Sequence, residues 1–232
     1  MNPARTAAAS AGLLALALLG FWPHYLSRVG EFNGYTHAHA ALSTLWFAML
    51  IVQPLLLHAG RRDLHRALGR ASWVLGPLMV LAAVLLAHQR VRAMDAARFA
   101  AEGLFAYLPL FSSLLFAVCW GLAMAHRRAM AVHARMMVAT ALTLVPPVLA
   151  RVVGNFGPAG LPGDVNDLIG FVAADAALAL LWWTTPAREA RARRITAAVL
   201  GLFVLCHVGW FTLARSAAWL AAVAWFRSLP LT

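Results

Sequence analysis

Lysine is absent from this 232-residue chain, and only 8 of its residues are acidic. All 19 basic side chains are therefore arginine, giving a net charge of +11. Alongside so much alanine, this bias reads as codon composition. It does not read as phosphate or nucleic-acid recognition, and no nucleic-acid partner is expected. Charged residues make up 12% of the chain, where a soluble domain carries about one quarter. Cysteine is scarce too. Cys119 and Cys206 both fall within apolar runs, which excludes a disulfide framework and any metal-type spacing. Both read as small buried hydrophobes. P-loop, dinucleotide-binding and serine-triad signatures are missing. So are the clustered HxxxH and HxxHH motifs of a membrane di-iron hydroxylase. No enzyme class is assigned.

What the chain does have is apolar sequence: 62% of it is hydrophobic. The apolar residues come in blocks of about twenty, enough to cross a hydrocarbon core about 30 Å thick. Seven blocks fall at residues 7–26, 38–57, 72–87, 104–125, 132–153, 168–184 and 195–213. A short interfacial helix is expected at 217–226. Backbone in lipid must satisfy its own hydrogen bonds, so the blocks are predicted to be helices. The expected fold is all-α, a polytopic bundle of about seven transmembrane helices forming one integral membrane domain over residues 1–232. The first block follows Arg5 and resembles a signal peptide, but it runs into Phe21-Trp22-Pro23 without a small-x-small cleavage pattern. It is read as an uncleaved first helix.

Arginines set the expected orientation. Twelve fall in one set of loops (Arg5; Arg61, Arg62, Arg66, Arg70; Arg127, Arg128, Arg135; Arg188, Arg191, Arg193, Arg194) and six in the other, with Arg215 near a helix end. The positive-inside rule places the twelve in the cytoplasm, with the N-terminus inside and the C-terminus outside. The expected location is a bacterial inner membrane. Trp22, Tyr25, Tyr35, Tyr107, Phe156 and Trp210 are expected to form an aromatic belt at the outer interface. Trp73, Trp120, Trp182 and Trp183 would form one at the inner interface.

The histidines suggest chemistry. His24, His37, His39 and His88 fall toward the outer side, His58, His65, His126 and His133 toward the inner side, and His207 near mid-membrane. Two stretches, His58 to His65 and His126 to His133, each place a His seven residues after another across a basic turn, a hint of a duplicated hairpin. Imidazole ligates haem iron, and helical bundles hold cofactors with inward side chains of facing helices. His65 and His133 are the preferred pair. Asp63 is expected to cap the third helix and to put His65 in its first turn, with Gly69 leaving room for a flat ring. His39 with His88 is a second candidate pair. Lone interfacial histidines more often only meet headgroups or helix ends.

Two ionisable residues sit deeper. Asp175 lies in the middle of the sixth block, and burying it there costs on the order of 2.5 kcal/mol or more, so it needs a partner. His207, at similar depth on the seventh, is the candidate, giving either a proton relay or a packing hydrogen bond. Pro146-Pro147 should kink the fifth helix, with Thr140 and Thr143 near enough to serve freed carbonyls.

One resemblance extends over residues 37–153. His39, Gln53-Pro54, His65-Arg66-Ala67-Leu68-Gly69-Arg70, His133-Ala134-Arg135-Met136-Met137 and Arg151 resemble an uncharacterised bacterial family of predicted multi-pass membrane proteins. That pattern has Trp where Met136 stands. Its His-bearing helices are similar in style to cytochrome b561-like bundles. The resemblance implies a b-type haem carried by His65 and His133, with His39 and His88 as a second pair. It also marks Gly69, Arg66, Arg70, Gln53 and Arg135 as supporting residues. Electrons would pass between a quinone or another redox partner and an acceptor across the bilayer. Two rivals stand beside this electron carrier: a proton-coupled transporter or channel built on Asp175 and His207, and a non-catalytic scaffold or assembly factor.

Overall fold

The computed structural model describes residues 2–232. Among them there are helices and no strands. The helices are α1 (Pro3–Phe21), α2 (Gly34–His58), α3 (Arg62–Gly69), α4 (Ser72–Arg92), α5 (Ala96–Glu102), α6 (Tyr107–Ala125), α7 (Met130–Leu142), α8 (Val145–Phe156), α9 (Gly163–Trp183), α10 (Ala190–Phe211) and α11 (Ala217–Ser228). Seven segments are long and apolar enough to cross a membrane: α1, α2, α4, α5–α6, α7–α8, α9 and α10 with its flanking turns. The chain is thus an all-α bundle with the build of a multi-pass integral membrane protein.

Many large hydrophobics face outward, among them Leu18, Leu45, Val74, Leu81, Leu180, Leu205 and Val208. In water such a surface would be untenable; against lipid it is the expected exterior. The interior is close-packed. One cluster joins Leu115, Cys119, Met136, Leu178 and Phe203, so α6, α7, α9 and α10 share a core. Another joins Trp46, Leu50, Met79 and Phe116 from α2, α4 and α6. Ala17, Phe47 and Val148 lock α1, α2 and α8 together.

Residues at several helix starts explain why they begin where they do. Asn2, Asn33, Asp95 and Ser216 each accept a backbone N–H at the start of α1, α2, α5 and α11. The expected break at Pro146-Pro147 is present and divides one span into α7 and α8. Leu144 N–H bonds to Ala141 O (3.0 Å) instead of reaching Thr140 O, and Thr143 Oγ1 donates to that carbonyl at 2.8 Å. Thr140 Oγ1 donates to Met137 O and accepts from Trp46 Nε1.

Three expectations need correcting. Asp63 does not cap a spanning helix: it lies in the first turn of α3, whose N-cap Arg61 makes no side-chain hydrogen bond. α3 is a short helix of its own, so His65 precedes the third span and is not in its first turn. Tyr107 and Trp210 do not face outward as a belt would require. They are buried with Phe171 and Ala214 between α6, α9 and α10. The tail helix is present, and it packs on α4 through Val91 and Val223.

Candidate functional site

Asp175 and His207 meet. His207 Nδ1 is 2.9 Å from Asp175 Oδ1 and 3.0 Å from Oδ2. α9 and α10 pack against each other, which puts a mid-helix residue of one opposite the other. The imidazole lies flat on Phe171, with centroids 4.4 Å apart and planes at 15°, and meets the edge of Phe203. His207 is buried, and the aromatic rings leave it one polar neighbour, the carboxylate. At the residue before His207, Tyr107 donates its hydroxyl to Cys206 O at 2.9 Å. That hydroxyl rests on Gly209, where a β-carbon would collide with it. Chemically, the pair is a carboxylate and an imidazole sharing a proton within an apolar layer.

His65 and His133 come together only in part. His133 Nδ1 is 2.9 Å from Ala123 O, so this nitrogen carries the proton and Nε2 is left as an acceptor. His65 is half-buried. The Gln53 side chain, oriented to match its surroundings, donates to His65 Nδ1 and to His65 O (3.1 Å) and accepts from Gly69 N–H (2.9 Å). In a neutral His65 the proton then sits on Nε2. Burial lowers the pKa of His65 from the usual 6.5; the Gln53 backbone opposes this, and nearby His133 and Arg66 reinforce it. Gly69 makes room for the Gln53 amide, 3.6 Å from where a β-carbon would stand. Two open surface cavities, of about 280 and 290 Å³, are lined by neither ring. They lie on the arginine-rich face, around Trp182, Arg193 and Arg194 and around Met130, Arg188 and Arg191.

The structure does not pair His39 with His88. His88 is fully buried and turned to the tail, with Nδ1 2.7 Å from Thr232 Oγ1 and its ring 5.0 Å from Phe226. His39 Nδ1 is buried and has no hydrogen-bond partner. Arg66 and Arg70 are exposed on α3. Arg135 is buried, donating through Nε to Thr185 Oγ1 (2.8 Å) and through Nη1 to Ala131 O (2.9 Å). Among the described residues, no group of three or more His, Cys, Asp or Glu is placed to hold a metal ion.

Sequence reasoning missed the role of Gln53 as the clamp on α3 and the burial of His88 beneath the tail. The signal for the first was a lone Gln one helical face away from a short basic turn. Nothing in the sequence marked the second. Comparison with known proteins gives no matching family model, no similar curated protein and no similar solved structure.

Proposed function

We propose that this chain is a proton-coupled membrane transporter or channel in which the Asp175–His207 pair takes up and releases the coupling proton. The observation that supports the reading is the pair itself, an ionisable couple 2.9 Å apart between two spanning helices, in an aromatic pocket. An ionisable residue inside a membrane segment is expensive and marks ion or proton pathways by default. A carboxylate facing a neutral imidazole carries a net charge of −1, and one proton taken up at the imidazole brings the pair to zero as carboxylate and imidazolium, so the site can change charge while Nδ1–H still donates to the carboxylate. In this reading the arginine-rich face is cytoplasmic and the membrane is a bacterial inner membrane.

The test is proton flux into proteoliposomes carrying an internal pH dye, driven by a potassium diffusion potential. Wild type should acidify the lumen above the protein-free rate, and D175N should reduce the protein-dependent rate at least tenfold. Equal rates for wild type and D175N, or no protein-dependent flux with any ion gradient, would refute the reading and leave a structural pair.

A second reading, the b-type haem electron carrier, is favoured by one observation. His133 donates Nδ1–H to a backbone carbonyl and presents Nε2, the outer-shell arrangement typical of metal-ligating histidines. Its test is the absorption spectrum: a Soret band in the purified protein, lost in H133A, supports it, and no band after incubation with haem removes it.

A further inference from the structure

Between the end of α9 and the start of α10 lies an open cavity of about 280 Å³ that the proton pair does not use. Its volume is close to the lower end for small-molecule sites, about 300 Å³. Trp182 of α9 lines it, together with Ala187, Ala190, Arg193, Arg194 and Ala197. Ala190, Arg193, Arg194 and Ala197 follow one another at helical spacing and share one face of α10. The Arg193 guanidinium sits over the Trp182 ring, 5.0 Å from its centroid, so the indole holds one cation at the cavity wall. Arg194, next to it, is exposed. Six ion pairs occur among the described residues, and none of them involves Arg193 or Arg194. The cavity thus combines two guanidinium groups, neither with a carboxylate within 4.0 Å, and a bed of alanine and tryptophan.

Guanidinium forks suit phosphate oxygens, and stacking on an indole face leaves the N–H edge of Arg193 free to donate. The position of the cavity says where the phosphate comes from. One spanning segment ends at Trp183 and the next begins at Ala187, so the cavity lies at a span end, the depth of lipid headgroups. Beside Trp182 on α9, Leu180 is 62% and Trp183 73% exposed, apolar surface of the kind that meets lipid. A phospholipid presents two chemistries at this depth, an anionic phosphodiester and the apolar start of its chains. A free phosphate presents only the first. We propose that Trp182, Arg193 and Arg194 form a binding site for the headgroup of an anionic phospholipid, in the leaflet on the arginine-rich side of the bundle. The phosphodiester accepts from the two guanidinium groups, and the glycerol lies against the indole and the alanines. The site stands whether or not Asp175 and His207 move protons.

The experiment uses the full chain in maltoside micelles freed of phospholipid and follows thermal unfolding. Three arms add phosphatidylglycerol, phosphatidylcholine, or inorganic phosphate at ionic strength held constant with chloride. Stabilisation that saturates with phosphatidylglycerol alone is expected. R193Q and R194Q should each weaken the apparent affinity about fivefold, the contribution of one arginine near an anionic lipid surface. W182L should weaken it about twofold or more, since the support for Arg193 is lost. Two controls keep the general properties of this face. R128Q removes an equal charge from the exposed turn before α7, and W183L removes the neighbouring, more exposed indole. Both should bind as wild type does. If W182L does not fold, the exposed Arg194 carries the comparison through R194Q. Equal stabilisation by phosphatidylcholine or by inorganic phosphate, no saturable stabilisation, or equal losses in R128Q and R194Q overturns the proposal. D175N should bind phosphatidylglycerol like wild type, which separates failure of this site from failure of the proton reading.

Discussion

Arg135 on α7 extends Nη2 to within 2.8 Å of Glu189 Oε2, in the turn that precedes α10. With its bonds to Thr185 and Ala131, this one guanidinium ties α7 to the connection between α9 and α10. Its side chain is 7% exposed and that of Glu189 is 31% exposed. Breaking a fully buried pair costs about 3–5 kcal/mol, and the partial exposure of Glu189 reduces this to about 2–3 kcal/mol for R135M. E189Q keeps a hydrogen-bond acceptor and should cost about 1 kcal/mol. Thermal unfolding in micelles checks the order: R135M lower than E189Q, and E189Q lower than wild type. Equal melting temperatures would show that the pair contributes nothing to holding the turn.

Asp175 and His207 make a prediction about stability as well as flux. D175N retains an oxygen that accepts from His207 Nδ1–H, so its melting temperature should stay close to wild type. D175A removes every partner of a buried imidazole wedged between Phe171 and Phe203. An orphaned buried donor costs about 1–3 kcal/mol, and D175A should melt correspondingly lower. If D175A and D175N melt together, the imidazole has found another partner, and the two helices are not held by this bond.

The positions of these partners show what a sequence of this kind reveals. Spans were legible because lipid demands a run of about twenty apolar residues and little else. Depth was legible for the same reason: counting from the span ends placed Asp175 opposite His207. Rotation about the helix axis was not, because lipid-facing and core-facing residues are both apolar and leave no amphipathic stripe. His39 and His88 show the consequence. Their spans do pack together, yet His88 turns to α11 and the tail. Short elements were also hidden. α3 is polar and lies between two spans, so it read as a basic turn, and its boundary at Arg70 looks like one more basic turn residue.

Gly170 carries a packing prediction. A β-carbon there would stand 2.7 Å from Pro146 Cα and 2.9 Å from Pro146 O, both backbone atoms. α8 and α9 pack closely at this point, and the backbone at the helix break has no freedom to retreat. G170A should therefore destabilise by about 1–3 kcal/mol, the usual penalty for overpacking. Gly201 is the control, since nothing lies within 4 Å of its added β-carbon. G201A should be neutral or stabilising by up to about 1 kcal/mol through helix propensity. Both variants are read by melting temperature, and a G170A value at or above that of G201A would remove the close approach as a constraint.

The Gln53–His65 clamp carries the pH prediction. Burial, helped by His133 and Arg66, lowers the folded-state pKa of His65 below its usual 6.5. The folded chain therefore binds fewer protons at this ring than the unfolded chain does. Stability must rise with pH across the interval between the two values and fall as pH drops below about 6.5. Protonation also puts a hydrogen on Nδ1, the atom that now accepts from Gln53, so one of the three bonds by which Gln53 holds α3 is lost in the charged form. Hydrogen exchange at residues 62–69, followed from neutral to mildly acidic pH, should show α3 opening first while α2 and α4 stay protected. In H65Q the ring cannot titrate, and the pH dependence of α3 exchange beyond intrinsic chemistry should vanish. Exchange in α3 that follows the same pH course in wild type and H65Q would assign the opening to another group and leave Gln53 as a pH-independent clamp.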